Sequence, residues 1–285
     1  MYRLGLSTTG KVVCDELFEN YKKAGFSAAE VCLGLEGSKT FDSAELRALA
    51  DKYGIELWSF HLPFMPFEEL DISKAELADK TISLYEDIID RATSIGINKF
   101  VVHPSGEPVE DHERRTRLEC SKKSLARLAE YAKARGAHIA VEDLPRSCIG
   151  NCIEEIGELV SVHPDLKICF DTNHLLSDDP IEFIRRFGDR IITLHVSDYD
   201  SLNDRHWLPG EGDVDWATML NTLCEVGYSG VWMYEVKFKA PRSIIRDRDL
   251  TCEDIAKNAR EIFEGKKPTG IGTRTEGLKI WSWKN

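Results

Sequence analysis

Six residues able to bind a metal or move a proton each lie at the end of a short apolar run. His61 follows Trp58-Ser59-Phe60, His103 follows Phe100-Val101-Val102, and Glu142 follows Ile139-Ala140-Val141. Asp171 follows Ile168-Cys169-Phe170, His195 follows Ile192-Thr193-Leu194, and Glu235 follows Trp232-Met233-Tyr234. One histidine after a strand is ordinarily a hydrogen-bonded loop residue, but six such positions in succession need a common cause. Carboxylates gathered in an interior repel one another and lose hydration, and a divalent cation removes that cost. Glu142, Asp171, His195 and Glu235 form a mixed oxygen and nitrogen set, expected to hold one Mn²⁺, Mg²⁺, Co²⁺ or Zn²⁺ per chain. Cys169 follows no zinc-site spacing and reads as core packing.

More chemistry lies next to these positions. His174 follows Asp171 by one helical turn's worth of chain, and the segment 203–212 (NDRHWLPGEG) carries Asp204, Arg205 and His206 before a glycine-flanked turn. The remaining histidines, His112, His138 and His163, are expected at helix or strand starts on the other side of the molecule.

For residues so far apart in sequence to meet, the elements carrying them must converge. Eight β-rich runs are expected, at Arg3–Ser7, Ala29–Leu33, Ile55–Phe60, Lys99–Val102, Ile139–Glu142, Lys167–Phe170, Ile191–Val196 and Val231–Val236. Their near-continuous apolar character is that of parallel strands covered on both faces. Amphipathic stretches lie between them, notably Ser43–Tyr53, Ser73–Ile95, Glu113–Arg135 and Glu154–Val160. Several such stretches stop at a glycine (Gly25, Gly54, Gly96, Gly136, Gly227), the residue that most easily takes the left-handed conformation ending a helix. Eight β–α units, with no GxGxxG turn after the first strand, favour an α/β (β/α)8 TIM barrel over an open dinucleotide-binding sheet. In a barrel all the strand ends surround one point. The barrel is expected over 1–265, with 266–285 as a C-terminal tail forming a packed extension, a lid or an oligomer contact.

The chain of 285 residues is 42% hydrophobic and 30% charged, enough for one large domain. Its formal net charge of −12, from 49 acidic against 37 basic residues, gives no support to bulk nucleic-acid binding. Eight cysteines without a CxxC pair suggest reduced, buried thiols. Neither a signal-peptide pattern nor an apolar run long enough to cross a bilayer is found, so a cytoplasmic enzyme without a membrane partner is expected. The Arg-rich stretch 242–248 reads as a solvated loop, with a phosphate contact as the alternative.

The motifs V-E-D around Glu142, F-D-x-x-H at 170–174, L-H-V-x-D at 194–198, P-G-x-G at 209–212 and Y-E at 234–235 resemble the xylose isomerase-like TIM barrels. These are sugar (phosphate) isomerases and epimerases together with endonuclease IV-type enzymes, and the resemblance runs to about residue 264. It implies that Glu142, Asp171, His195 and Glu235 hold one metal. It also implies that Glu142 and Glu235 exchange a substrate proton through a metal-stabilised enediolate. The substrate would be a ketose or inosose, and His61, His103, His174, Arg205 and His206 would contact it. A homo-oligomer is common among such proteins.

The nuclease branch implies an alternative, a phosphodiesterase with three zinc ions. His61, His103, His174, Asp204 and His206 would then be additional ligands. Its DNA-contacting loops are not recognisable here: Leu62-Pro63-Phe64-Met65-Pro66-Phe67 is apolar, more like a lid over a small ligand. A non-catalytic sugar-binding barrel is a third reading, disfavoured by two acid/base-competent glutamates beside a metal set.

Overall fold

A computed structural model describes residues 2–278. Eight strands form one parallel sheet: β1 (Arg3–Ser7), β2 (Ala28–Cys32), β3 (Glu56–His61), β4 (Lys99–Val102), β5 (His138–Glu142), β6 (Lys167–Asp171), β7 (Ile191–His195) and β8 (Val231–Tyr234). Neighbours in sequence are neighbours in space, and β1 also pairs with β8. Between β7 and β8 the circle closes through a parallel bridge, Val196 to Tyr234. There the Val196 N–H donates to the Met233 carbonyl over 2.8 Å. The fold is therefore the expected (β/α)8 barrel, with each strand boundary within a residue or two of its sequence position.

Among the described residues the helices are α1 (Asp15–Ala24), α2 (Leu35–Thr40), α3 (Ser43–Tyr53), α4 (Ala75–Thr93), α5 (Arg114–Lys133), α6 (Ile153–Ser161), α7 (Pro180–Phe187), α8 (Trp216–Glu225) and α9 (Cys252–Phe263). α3 has the predicted limits because both its ends are written in sequence. Asp42 accepts from the Ala44 and Glu45 N–H groups at one end, and Gly54 takes φ +63° at the other.

Alternation along the strands divides the core in two. Phe100 and Val102, Ile139 and Val141, and Ile168 and Phe170 pack outward beneath the helices in the main core. Val101, Ala140 and Cys169 form a separate cluster inside the barrel, and Cys169, expected as packing, also lies within reach of a shared centre with Glu142 and His195. Moving two residues toward the C-terminal ends keeps the same facing. Val101 leads to His103, Ala140 to Glu142 and Cys169 to Asp171, while Ala28 leads to Glu30 and Met233 to Glu235.

Two register shifts complete this polar layer. Ala29 pairs with Leu57 but Glu30 with Ser59, and Ile168 pairs with Ile191 but Cys169 with Thr193. The extra residue in β3 and in β7 restores the inward facing for His61 and His195.

Beyond β8, the short strands β9 (Ile244–Ile245) and β10 (Thr273–Arg274) pair antiparallel. Arg246 is not a solvated loop residue. Its side chain is fully buried and bonded to Glu211 over 2.6 Å, which corrects the reading of 242–248 at that position. Arg274 pairs with Asp213 and donates to the Glu211 carbonyl, fixing the described part of the 266–285 segment against the 209–213 turn. Trp281 and Trp283 lie outside the described residues. No helix among the described residues is long and apolar enough to cross a membrane. All eight cysteines are free thiols.

Candidate metal and substrate site

At the C-terminal mouth of the barrel a cavity of about 810 Å³ opens, a size suited to a small molecule. Glu142 and Glu235 line its floor with His61, His103, His174, Asp204 and His206. Asp171 and His195 lie directly beneath, completely buried.

Four side chains can offer one ligand atom each to a shared centre: Glu142, Asp171, His195 and Glu235. The Nδ1 atom of His195 lies 3.0 Å from Glu142 Oε1, 3.0 Å from Glu235 Oε2 and 3.7 Å from Asp171 Oδ2. Asp171 supplies a test of whether a cation fits here. Its Oδ2 is buried with no hydrogen-bond partner, an arrangement that is costly without a cation and ordinary with one.

Two further donor groups flank this one. His61 and His103 place Nε2 atoms 3.1 and 3.2 Å from Glu142 Oε2. On the other flank, Asp171, His174 and His206 can share a centre, with His206 Nε2 3.2 Å from Asp204 Oδ1. Glu142 thus belongs to three groups, the third with Cys169 and His195, and Asp171 to two.

The imidazoles are oriented from behind. Nδ1 of His61 donates to the Leu62 carbonyl, that of His174 to the Asp143 carbonyl, and that of His206 to the Glu235 carbonyl. Each bond fixes the tautomer and turns the other nitrogen inward. His206 holds this pose with a left-handed φ of +52°, rare outside glycine.

Electrostatics divide the carboxyls. Burial pushes Glu142 and Glu235 up, but the positive charge of His195, joined by His103 at Glu142 and by His206 at Glu235, holds both well below the usual carboxylate range. Burial dominates at Asp171, raising it well above that range. For His174 burial lowers the imidazole to about 4. Burial opposes charge on His61 too, yet the Glu142 carboxylate carries it up to about 9.

The loop after β7 is built around Asp198. Its carboxylate accepts from the N–H groups of Tyr199, Gly210 and Val214 and from the Trp216 indole. At Gly212 a Cβ would collide with that carboxylate and the Tyr199 carbonyl, the reason for the second glycine of P-G-x-G. This knot fixes the loop that delivers Asp204 and His206.

Not every expected site residue is delivered. Arg205 turns away from the cavity and pairs with Asp200 over 2.9 Å, so its sequence-level role as a substrate contact has no support in the geometry. Arg146 occupies the cavity wall instead, paired with Glu107 over 2.5 Å and with Asp204 over 3.2 Å. His112 lies just before α5, at the same end of the barrel as the site rather than the other side, and is solvent-exposed.

Sequence reasoning also missed Glu30. It is fully buried, with Oε1 2.9 Å from His195 Nε2 and Oε2 accepting from Ser59 Oγ. A glutamate inside the apolar run Ala28–Cys32, at the same offset as the other inward residues, was the available signal. Thr9 and Lys11, from the loop after β1, were missed as well. Thr9 donates to Glu235 over 2.8 Å, and Lys11 lines the cavity wall, its ammonium lowered to about 8 by burial.

An eight-stranded parallel barrel with a carboxylate and histidine cluster at its C-terminal mouth defines a TIM-barrel protein with a metal-competent site. Residues 18–260 match the family described as xylose isomerase-like TIM barrel, and the chain belongs to it. Among curated relatives, the uncharacterized protein MJ1311 of Methanocaldococcus jannaschii is 26% identical, with 87% of each chain covered. A D-psicose 3-epimerase of Enterocloster bolteae is 25% identical over 77% of this chain and 78% of its own. A probable endonuclease 4 of Thermoplasma acidophilum is 25% identical over 62% of this chain and 66% of its own. Among solved structures, a D-tagatose 3-epimerase-like protein superposes with a TM-score of 0.76 at 24% identity, covering 92% of this chain and 96% of that one. An L-ribulose 3-epimerase gives 0.77 at 21%, covering 93% and 94%. At these identities the structural likeness establishes the fold.

Proposed function

We propose that this chain is a metal-dependent sugar or sugar-phosphate isomerase or epimerase acting on a ketose or inosose. The observation that carries the reading is the pair Glu142 and Glu235, both lining the cavity and each with a carboxylate oxygen 3.0 Å from one histidine nitrogen. An ionised carboxylate can take a proton from carbon beside a carbonyl, and a second can return one to the neighbouring position or face. Relatives named as a D-psicose 3-epimerase and an inosose isomerase support the substrate class.

Glu142, Asp171, His195 and Glu235 would hold the divalent ion, which when bound supplies Lewis-acid stabilisation of negative charge on substrate oxygens. Thr9 orients Glu235 through its hydroxyl, and His61 and His103 hold Glu142 from the other side. Phe64, Met65 and Phe67 wall the cavity with apolar surface that excludes water from the reacting carbon. The test is solvent exchange: Mn²⁺-supplemented protein with ketoses, ketose phosphates and inososes in D₂O should place deuterium beside the carbonyl. No incorporation across the panel overturns the reading.

A second reading has its own observation. The four-residue group shares Glu142 with the His61 and His103 group and Asp171 with the His174 and His206 group, an arrangement suited to three neighbouring ions and to phosphodiester hydrolysis. The relative named as a probable endonuclease 4 points the same way. The apolar wall of Phe64, Met65 and Phe67 and the net charge of −12 favour a small substrate over duplex DNA.

A further inference from the structure

We propose that Glu30 is the positioning residue that sets the tautomer of His195 and thereby aims Nδ1 at the ion. The inference rests on the metal reading above. His61, His174 and His206 are each tied back by a backbone carbonyl, which no side-chain substitution removes. For His195 the tying group is a carboxylate side chain: Glu30 Oε1, 2.9 Å from Nε2.

The surroundings hold Glu30 in that pose. Ser59 Oγ donates to Oε2 over 2.9 Å, and Ser7 Oγ donates to Oε1 over 3.2 Å. Ser7 in turn meets Thr9 Oγ1 at 2.8 Å, and Thr9 donates to Glu235. The Ser7 and Thr9 hydroxyls thus lie side by side between Glu30 and Glu235, Ser7 donating to the first and Thr9 to the second. One buried carboxylate, itself held by two hydroxyls, faces a histidine of the donor group.

The physical need is specific. A neutral imidazole offers one lone pair, and only an Nε2–H tautomer presents that lone pair at Nδ1. An acceptor at Nε2 selects this tautomer and makes Nδ1 the stronger donor. A neutral acceptor would do the first and less of the second. Glu30 has no place in the cavity lining, so contact with substrate does not explain a buried carboxylate there.

The test is Mn²⁺ titration calorimetry on the metal-stripped full chain and on Glu30→Gln and Glu30→Ala, each first checked for fold by circular dichroism. The tightest site should weaken about 10-fold in the Gln variant and toward about 100-fold in the Ala variant. Ser124→Ala, which removes a buried hydrogen bond to the Ile72 carbonyl away from His195 and Glu30, should leave that affinity unchanged. Folded Glu30 variants that bind Mn²⁺ as wild type does overturn the proposal. Should the Glu30 variants not fold, ¹⁵N-histidine NMR of the zinc-loaded wild type decides: His195 is expected with its proton on Nε2, and a proton on Nδ1 overturns the assignment. Wild type that binds neither ion defeats the metal reading, and this one with it; a wild type that binds while Glu30 proves indifferent defeats only this one.

Discussion

Glu142, the last residue of strand β5, and Glu235, the residue after β8, each place a carboxylate oxygen 3.0 Å from the same atom, Nδ1 of His195. That shared nitrogen accounts for the unusual state of the pair. Two carboxylates buried together would ordinarily protonate. Here His195, raised well above the usual imidazole range by the acidic groups around it despite its burial, carries the positive charge that holds both ionised, the role a divalent ion's charge would take over.

Both glutamates should therefore be indispensable to proton transfer. Glu142→Gln and Glu235→Gln keep shape and remove the base, and each should slow deuterium exchange into a cognate ketose by roughly 10²–10⁴-fold. The pair is being misread if either variant exchanges at the wild-type rate.

Metal stoichiometry separates the two functional readings. With a single ion, His206→Ala and Asp204→Asn should leave the metal content measured by plasma emission at one per chain, because neither belongs to the four-residue donor group. A wild-type content of three, falling in these variants, would establish the three-ion arrangement.

The buried Glu211–Arg246 pair should be a stability determinant. Both side chains are fully buried, and Glu211 Oε2 also accepts from the Leu208 N–H. Arg246→Met strands a carboxylate in the interior and should cost roughly 3–5 kcal/mol in chemical denaturation. The double variant with Glu211→Leu should recover most of that loss. An Arg246→Met protein as stable as wild type would show the pair to be dispensable.

Acid should loosen α9 at its first turn. Asp254 is held down to about 2, below its ordinary 3.8, by Arg248, against the opposing effect of burial, and by the capping box with Thr251. A depressed carboxyl contributes stability that is complete above its ordinary value and is lost as pH falls toward the folded one. Asp254→Asn should thus cost about 1 kcal/mol at neutral pH. Melting curves of variant and wild type should converge as pH drops from about 4 to about 2. A constant gap across that window would assign the effect to packing.

Much of this architecture is legible locally. The glycines after α1 and α3, Gly25 and Gly54, adopt the left-handed φ their positions suggest. The inward residues fall two places beyond a barrel-core residue, so His103, Glu142, Asp171 and Glu235 could be found from strand periodicity alone. Glu30 obeys the same offset but sits two residues before the end of its strand, whereas the others close or follow theirs, inside an apolar run that reads as plain core. Arg205 and Arg246 went astray for a different reason. A guanidinium on a long stem goes where an acceptor is, and Asp200 and Glu211 were not identifiable as those acceptors before the loops folded.

By itself, then, the sequence determined eight strands, their order and the polar residues at six of the strand ends, because those follow from short-range periodicity and helix-ending glycines. Only the tertiary structure decided that Nδ1 of His195 faces Glu142 and Glu235 while Nε2 faces Glu30, a partner 165 residues away. Contact at that separation depends on barrel closure, on the β2–β3 and β6–β7 register shifts, and on the burial that makes an unpaired carboxylate too costly to leave alone.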